Sequence, residues 1–181
     1  MIFQARILAV LLSAVVAQSA FASDGTINFT GELVDSTCSV NVNGTAGPAA
    51  ATVTLPKVSA AQLKTTGNTA GQTGFNIALS ACTGATTTAA AFFESGAGVD
   101  ATTGNLKNTG SAKAVQLQLL DSTNGAVIKA GDFTQVANTS KIKKDLAAGS
   151  AVLPYAVQYV STGAAVAGTV LGTVTYSITY Q

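Results

Sequence analysis

Cys38 and Cys82 are the chain's only cysteines and its most chemically specific residues. A redox-active pair more often stands as Cys-x-x-Cys, and a zinc site needs more ligands than two thiols. Histidine is absent, so the commonest acid–base side chain is missing, along with every Ser-His-Asp, Cys-His or His-metal arrangement. Asp100, Asp121, Asp132 and Asp145 are scattered among turn residues, where aspartate serves local backbone hydrogen bonds rather than paired-carboxylate hydrolysis. Gly96-Ala97-Gly98 starts like a dinucleotide loop, but Ala101 occupies the third glycine position and no strand–helix unit follows. Lys141, Lys143 and Lys144 lie beside Asp145 and read as a solvated connection rather than a basic binding patch. The expectation is therefore no catalytic residue, no cofactor-binding residue, no metal ligand and no cofactor.

The bulk composition points the same way. The 181 residues hold 9 basic and 8 acidic side chains, a net charge of +1, which leaves no electrostatic footprint for nucleic acid. Charged residues make up 9% of the chain, well below the roughly 25% of ordinary soluble domains. Small residues dominate instead, as in a small-residue β scaffold. Aromatic residues are 6% with no tryptophan, poor material for a sugar-stacking platform.

The amino terminus reads as a leader rather than as part of the fold. Met1 to Arg6 is a short basic region, and Ile7 to Ala17 is an apolar run too short for the roughly 20 residues that span a bilayer. Gln18-Ser19-Ala20-Phe21-Ala22 follows, with the small-x-small pattern of a signal-peptidase site. The expectation is a signal peptide over residues 1–22, removed on export, and one mature domain from Ser23. In an exported chain, an even cysteine count argues for one structural disulfide between Cys38 and Cys82. Closing a loop of that length would contribute about 4 kcal/mol in the chain-entropy model.

The elements that must carry this bridge are strands. Ile27, Phe29, Gly31 and Leu33 alternate with polar residues, the period of a strand with one buried face. Asn43-Gly44 marks a turn, Val53 and Leu55 make a short strand ended by Pro56, and Val58 to Leu63 suits one helical turn. Phe75, Ile77 and Leu79 lead into Cys82, and Ala89 to Phe93 is a further strand. Val115, Leu117 and Leu119 alternate up to Asn124-Gly125, a strong hairpin signal, with Val127 and Ile128 beginning the return. Val152 to Val160 and Thr169 to Tyr180 are two long closing strands. Short strands with frequent turn signals predict an all-β sandwich.

The two ends carry the functional information. Val170, Gly172, Val174, Tyr176, Ile178 and Tyr180 share one face of a final strand that no later strand covers. Such an apolar edge aggregates unless something pairs with it. The first mature residues hold an alternating strand with no partner hairpin before it. One end lacks a strand, and the other has one to give.

At this point the chain resembles the pilin subunits of chaperone–usher fimbriae, most closely the major structural subunit of type 1-like fimbriae. The matching residues are Gly25-Thr26-Ile27-Asn28-Phe29-Thr30-Gly31-Glu32-Leu33 ahead of Cys38, Leu55-Pro56-Lys57-Val58 with Gln62-Leu63, and Ala70-Gly71-Gln72-Thr73. Phe75-x-Ile77-x-Leu79-x-x-Cys82, Gly168 and the penultimate Tyr180 complete the set. The resemblance implies an incomplete immunoglobulin-like sandwich lacking its last strand and completed by a strand donated from a neighbouring subunit. It implies a donor extension over residues 23–34, with Gly25, Ile27, Phe29, Gly31 and Leu33 on its inserting face, ahead of a pilin domain over 35–181. It also implies an acceptor and chaperone-binding strand through Gly168, Val170, Gly172, Val174, Tyr176, Ile178 and Tyr180. The implied partners are identical pilin subunits in a head-to-tail polymer, a periplasmic chaperone, an outer-membrane usher, and tip adaptor or adhesin subunits. The expected function is the shaft of an extracellular bacterial fimbria that supports adhesion. The alternatives are a minor tip adaptor of the same fimbria and a secreted carbohydrate-binding sandwich.

Overall fold

The computed structural model describes residues 27, 28, 30, 31, 33, 35, 37–47, 49–84, 88–135, 144, 145 and 149–180. The leader, Gly25, Phe29, Lys141 and Lys143 lie outside the described residues, as do the side chains of Lys144 and Asp145. The chain divides into Met1–Glu32 and Leu33–Gln181, and the fold below belongs to the second unit.

The strands are β1 (Thr37–Val42), β2 (Thr45–Ala46), β3 (Thr69–Thr83), β4 (Thr88–Phe93), β5 (Leu106–Lys107), β6 (Lys113–Asp121), β7 (Val127–Ile128), β8 (Lys144–Asp145), β9 (Ala151–Val166) and β10 (Tyr176–Tyr180). The larger sheet runs β2-β1-β3-β9-β6-β5, with β7 also on β6, and the smaller runs β10-β4-β8. Every pairing is antiparallel. The two sheets close over an apolar core, as alternating strands require.

Phe75, Ile77 and Leu79 of β3, Leu117 and Leu119 of β6, and Leu153, Tyr155 and Val157 of β9 pack with Ala89, Ala91 and Phe93 of β4. Phe93 meets Tyr155 edge to face, with ring centroids 5.0 Å apart. Burying each large apolar side chain contributes roughly 1.5–3 kcal/mol, so this layer is the main source of stability. Cys38 and Cys82 form the expected disulfide, which ties β1 to the end of β3.

Several local features match the turn chemistry in the sequence. Asn43 (φ 47°) and Gly44 (φ 90°) make the two-residue turn between β1 and β2. Ser59 caps a single 3-10 turn over Ala60–Leu63, its hydroxyl accepting from the Ala61 N–H. Asn124-Gly125 does close a hairpin, but its loop is longer than two residues. The Asp121 N–H donates to the Ala126 carbonyl, the Asp121 carboxylate accepts from the Thr123 N–H at 2.7 Å, and only Gly125 takes a positive φ. The aspartate therefore sets the turn together with the Asn-Gly pair, whose Asn124 Oδ1 accepts from the Ala126 N–H at 2.8 Å.

β3 begins at Thr69, earlier than alternation alone predicts. Its register against β9 shifts between Ala70 and Thr73, where Gly71 sits at φ +65°. A Cβ at Gly71 would stand 2.9 Å from the Tyr159 ring, so glycine lets the aromatic side chain lie across the bulge.

Candidate functional site: the last strand and its uncovered edge

The long closing strand expected over Thr169 to Tyr180 is present as extended chain, but it is held in two different ways. Tyr176–Tyr180 forms a regular ladder with β4, from Tyr176 opposite Phe93 to Tyr180 opposite Ala89. Residues 168–175 lie against loops instead. The Thr109 and Ala112 N–H groups donate to the Leu171 and Thr169 carbonyls at 2.8 and 3.0 Å. Asn108 Oδ1 accepts from the Leu171 N–H at 2.9 Å, and Ser111 Oγ accepts from the Thr169 N–H at 2.9 Å. Backbone N–H groups and two side chains of a turn-rich connection thus take the place of a strand, and the regular ladder starts only at Tyr176.

These bonds share one parity. The Thr175 carbonyl accepts from the Glu94 N–H at 2.9 Å, so Thr175, Ser177 and Thr179 turn their backbone groups toward β4. Thr169 and Leu171 do the same toward 108–112. The even-numbered residues therefore direct their N–H and C=O groups to the opposite side, where the sheet order places no described strand. The same even-numbered residues bury their side chains. Val170, Val174, Tyr176, Ile178 and Tyr180 are half-buried against the core, while Leu171, Thr173, Thr175 and Ser177 are exposed. Gly172 belongs to this row because its Cβ would meet Leu117 Cδ1 at 2.9 Å, and Gly168 because its Cβ would fall on the backbone of Ser111 and Ala112.

A second uncovered edge was only half legible in the sequence. Val53 and Leu55 read as a short strand ended by Pro56. Residues 51–58 are extended there, but no described strand pairs with them. Ala51, Val53 and Leu55 are half-buried on the main core, and Thr52, Thr54 and Pro56 are exposed. Val58 and Val170 pack against the same small cluster of Leu63, Ala112 and Val115. The Tyr159 hydroxyl holds this segment by donating to the Pro56 carbonyl at 3.3 Å. The alternation of Ala51, Val53 and Leu55 was the available signal; that the segment would go unpaired was not visible.

Asp100 accepts from the N–H groups of Thr102 and Thr103 and from Gln116 Nε2 at 2.8 Å, and the Gln116 bond in particular holds its carboxyl below the usual range. Asp132 accepts from the Thr134 N–H and hydroxyl, the backbone bond contributing most to a lowered pKa. Both carboxylates serve local turns, as read from the sequence. Among the described residues, no group of three or more Cys, Asp or Glu side chains gathers as a metal site. A cleft of about 430 Å³ includes Lys129, Asp132 and Phe133 in its lining, and its one carboxylate is the Asp132 already engaged with Thr134. Of the N-terminal alternating face, Ile27 is 78% exposed and Leu33 is fully exposed.

An antiparallel sandwich with a disulfide near one end and an uncovered final strand is an incomplete immunoglobulin-like sandwich of the pilin class. The family model described as FimA, type-1 fimbrial protein, A matches residues 55–181. The chain belongs to this family and is a fimbrial subunit. It is 40% identical over 177 residues to the F17 fimbrial protein of Escherichia coli, covering 94% of this chain and 95% of that one. It is 41% identical over 167 residues to the major fimbrial subunit SMF-1 of Stenotrophomonas maltophilia (strain K279a), covering 90% and 96% respectively. The crystal structure of the P pilus rod subunit PapA superposes with a TM-score of 0.56 at 16% identity, over 80% of this chain and 99% of that one, a likeness of fold.

Proposed function

We propose that this chain is the shaft subunit of a surface fimbria and polymerises by donor-strand exchange. In this reading residues 23–34 of one subunit lie along the uncovered edge of the next. Ile27, Phe29 and Leu33 enter the core, and Gly25 and Gly31 occupy the positions that admit no side chain. The observation that carries the proposal is the parity of the last strand: Val170 to Tyr180 present apolar side chains inward and backbone groups outward along an edge with no described strand. A strand added there gains main-chain hydrogen bonds for affinity and alternate side-chain pockets for specificity. Burying Ile27, Phe29 and Leu33 would contribute roughly 5–9 kcal/mol before ordering costs. Because donor and acceptor are different surfaces, the contact is heterologous and growth does not close on itself.

Before assembly the same edge would be covered by a strand of a periplasmic chaperone, with delivery through an outer-membrane usher to a filament ending in tip adaptor or adhesin subunits. This route accords with the leader read in the sequence. Deleting residues 23–34 tests the assignment. The truncated subunit should still be captured by the chaperone and should cap filaments in mixed expression, but form none alone. Filaments built entirely from the truncated chain would overturn the proposal. Copy number in purified filaments tests the shaft role, since a shaft subunit dominates the gel and a tip adaptor does not.

A further inference from the structure

The small sheet has a second edge that strand addition must avoid. Among the described residues, β8 pairs with β4 at Thr88 and Ala89. By the register with β10, Ala89, Ala91 and Phe93 point their backbone groups away from β10, toward that far edge. Among the described residues, the edge beyond Ala89 is met by two side chains and one backbone N–H. The Ala91 N–H donates to the Tyr155 hydroxyl at 3.1 Å. The Phe93 N–H donates to Gln135 Oε1 at 2.8 Å, and Gln135 Nε2 donates back to the Phe93 carbonyl at 2.9 Å. Gln135 is only 3% exposed, and its Nε2 also donates to the Asp132 carbonyl at 3.1 Å. The Gly131 N–H adds a further bond to the Phe93 carbonyl at 2.8 Å.

A single planar amide thus does at Phe93 what a facing residue does in an antiparallel ladder: it accepts from the N–H and donates to the C=O of the same residue. Glutamate would lose the donor, and methionine would keep the length but lose both functions. We propose that Gln135 is a specificity-determining residue for strand addition, closing the far edge of β4 so that an incoming donor strand finds one acceptor edge and not two. The inference rests on the donor-strand reading above. A subunit with two acceptor edges would bind two donors and branch, whereas one with a single edge grows as a line.

The test uses isolated filaments of the full chain and a labelled synthetic peptide of residues 23–36. Wild-type filaments should take up no peptide, because the last strand is already occupied and the β4 edge is closed. Gln135→Met filaments should take up about one peptide per subunit and show branch points, and Gln135→Glu should fall between. The Phe93 amide should exchange with deuterium slowly in the wild type and roughly tenfold faster or more in Gln135→Met, the size expected for losing one buried hydrogen bond. If Gln135→Met does not accumulate, Tyr155→Phe keeps the ring, frees the Ala91 N–H and should admit the peptide in the same way. Linear Gln135→Met filaments that take up no more peptide than wild type would overturn the inference, as would fast Phe93 exchange in the wild type. Peptide uptake by wild-type filaments would count instead against the donor-strand reading, and the increment between variant and wild type would still decide the role of Gln135.

Discussion

The Tyr180 hydroxyl accepts a 3.1 Å hydrogen bond from the backbone N–H of Cys38, joining the end of the last strand to the disulfide-bearing start of β1. The tyrosine ring is half-buried on the core, so ring and hydroxyl do separate jobs. Tyr180→Phe should cost about 1 kcal/mol, the net value of one hydrogen bond, and leave the strand in place. Tyr180→Ala removes the packing as well and should cost roughly 2–3 kcal/mol. Urea midpoints of the donor-completed subunit measure both, and chaperone co-purification should weaken for Ala but not for Phe. Equal losses for the two variants would mean that the hydroxyl alone anchors the strand.

The disulfide joins residues 44 apart in sequence. With the final strand uncovered, this domain has little stability to spare, so losing about 4 kcal/mol of loop-closure stabilisation should be severe. Cys38→Ser should sharply reduce periplasmic yield relative to total expression. A double serine variant that accumulates and assembles normally would show that the bridge is dispensable.

The loop contacts of 168–172 leave no room for side chains at two glycines. A Cβ at Gly110 would fall on the Thr169 carbonyl oxygen, and neither Gly110 nor Gly168 has the left-handed backbone that would make glycine necessary by itself. The constraint is one of close approach. Gly110→Ala should push the start of the last strand off its seat at a cost of roughly 1–3 kcal/mol. The Thr109 and Ala112 amides, which donate to Leu171 and Thr169, should then lose their exchange protection while the β3–β9 ladder keeps its own.

The strands of the core were legible because Phe75/Ile77/Leu79 and Val115/Leu117/Leu119 alternate cleanly, and period two has one structural meaning. The uncovered edge at Val170–Tyr180 was legible for the same reason. What the sequence hid were partnerships that depend on tertiary placement. Asn108 and Ser111 look like ordinary turn residues, yet they take the hydrogen bonds of Leu171 and Thr169 on the side of the last strand that β4 takes further on. Gln135 carries no local pattern at all, because its role depends on Phe93, 42 positions earlier. The segment 51–58 showed its alternation but not its lack of a neighbour.

Tyr155 sets an alkaline limit. Burial pushes its hydroxyl up to about 12 from 10.0, opposed by the Ala91 N–H and reinforced by the charge of Asp121. The folded state therefore keeps its proton where the unfolded chain has lost it. This contribution is fully present below pH 10 and is lost as pH rises through 12, about 3 kcal/mol in all. Wild type should lose stability faster than Tyr155→Phe across that window, measured as urea midpoints at successive pH values. Parallel curves would show that the hydroxyl titrates in the folded protein at the same pH as in the unfolded chain.

Under the proposed donor-strand reading, a substitution at Gly31 should separate folding from assembly. In the face Ile27, Phe29, Gly31, Leu33, three positions carry bulky apolar groups and one carries none. The backbone at Gly31 lies outside the left-handed region, so no conformational demand within the subunit explains the glycine. In the proposed donor-strand contact, close approach of two backbones would explain it. Gly31→Arg should therefore fold on its chaperone, form the Cys38–Cys82 bridge and fail to polymerise. Its acceptor edge is untouched, so in mixed expression it should accept a wild-type donor and shorten filaments in proportion to its share of the subunit pool. Chaperone-bound monomer and filament length are the two measurements. Full-length filaments from the mutant alone would refute the donor assignment, whereas loss of the chaperone complex would place Gly31 in the subunit's own core.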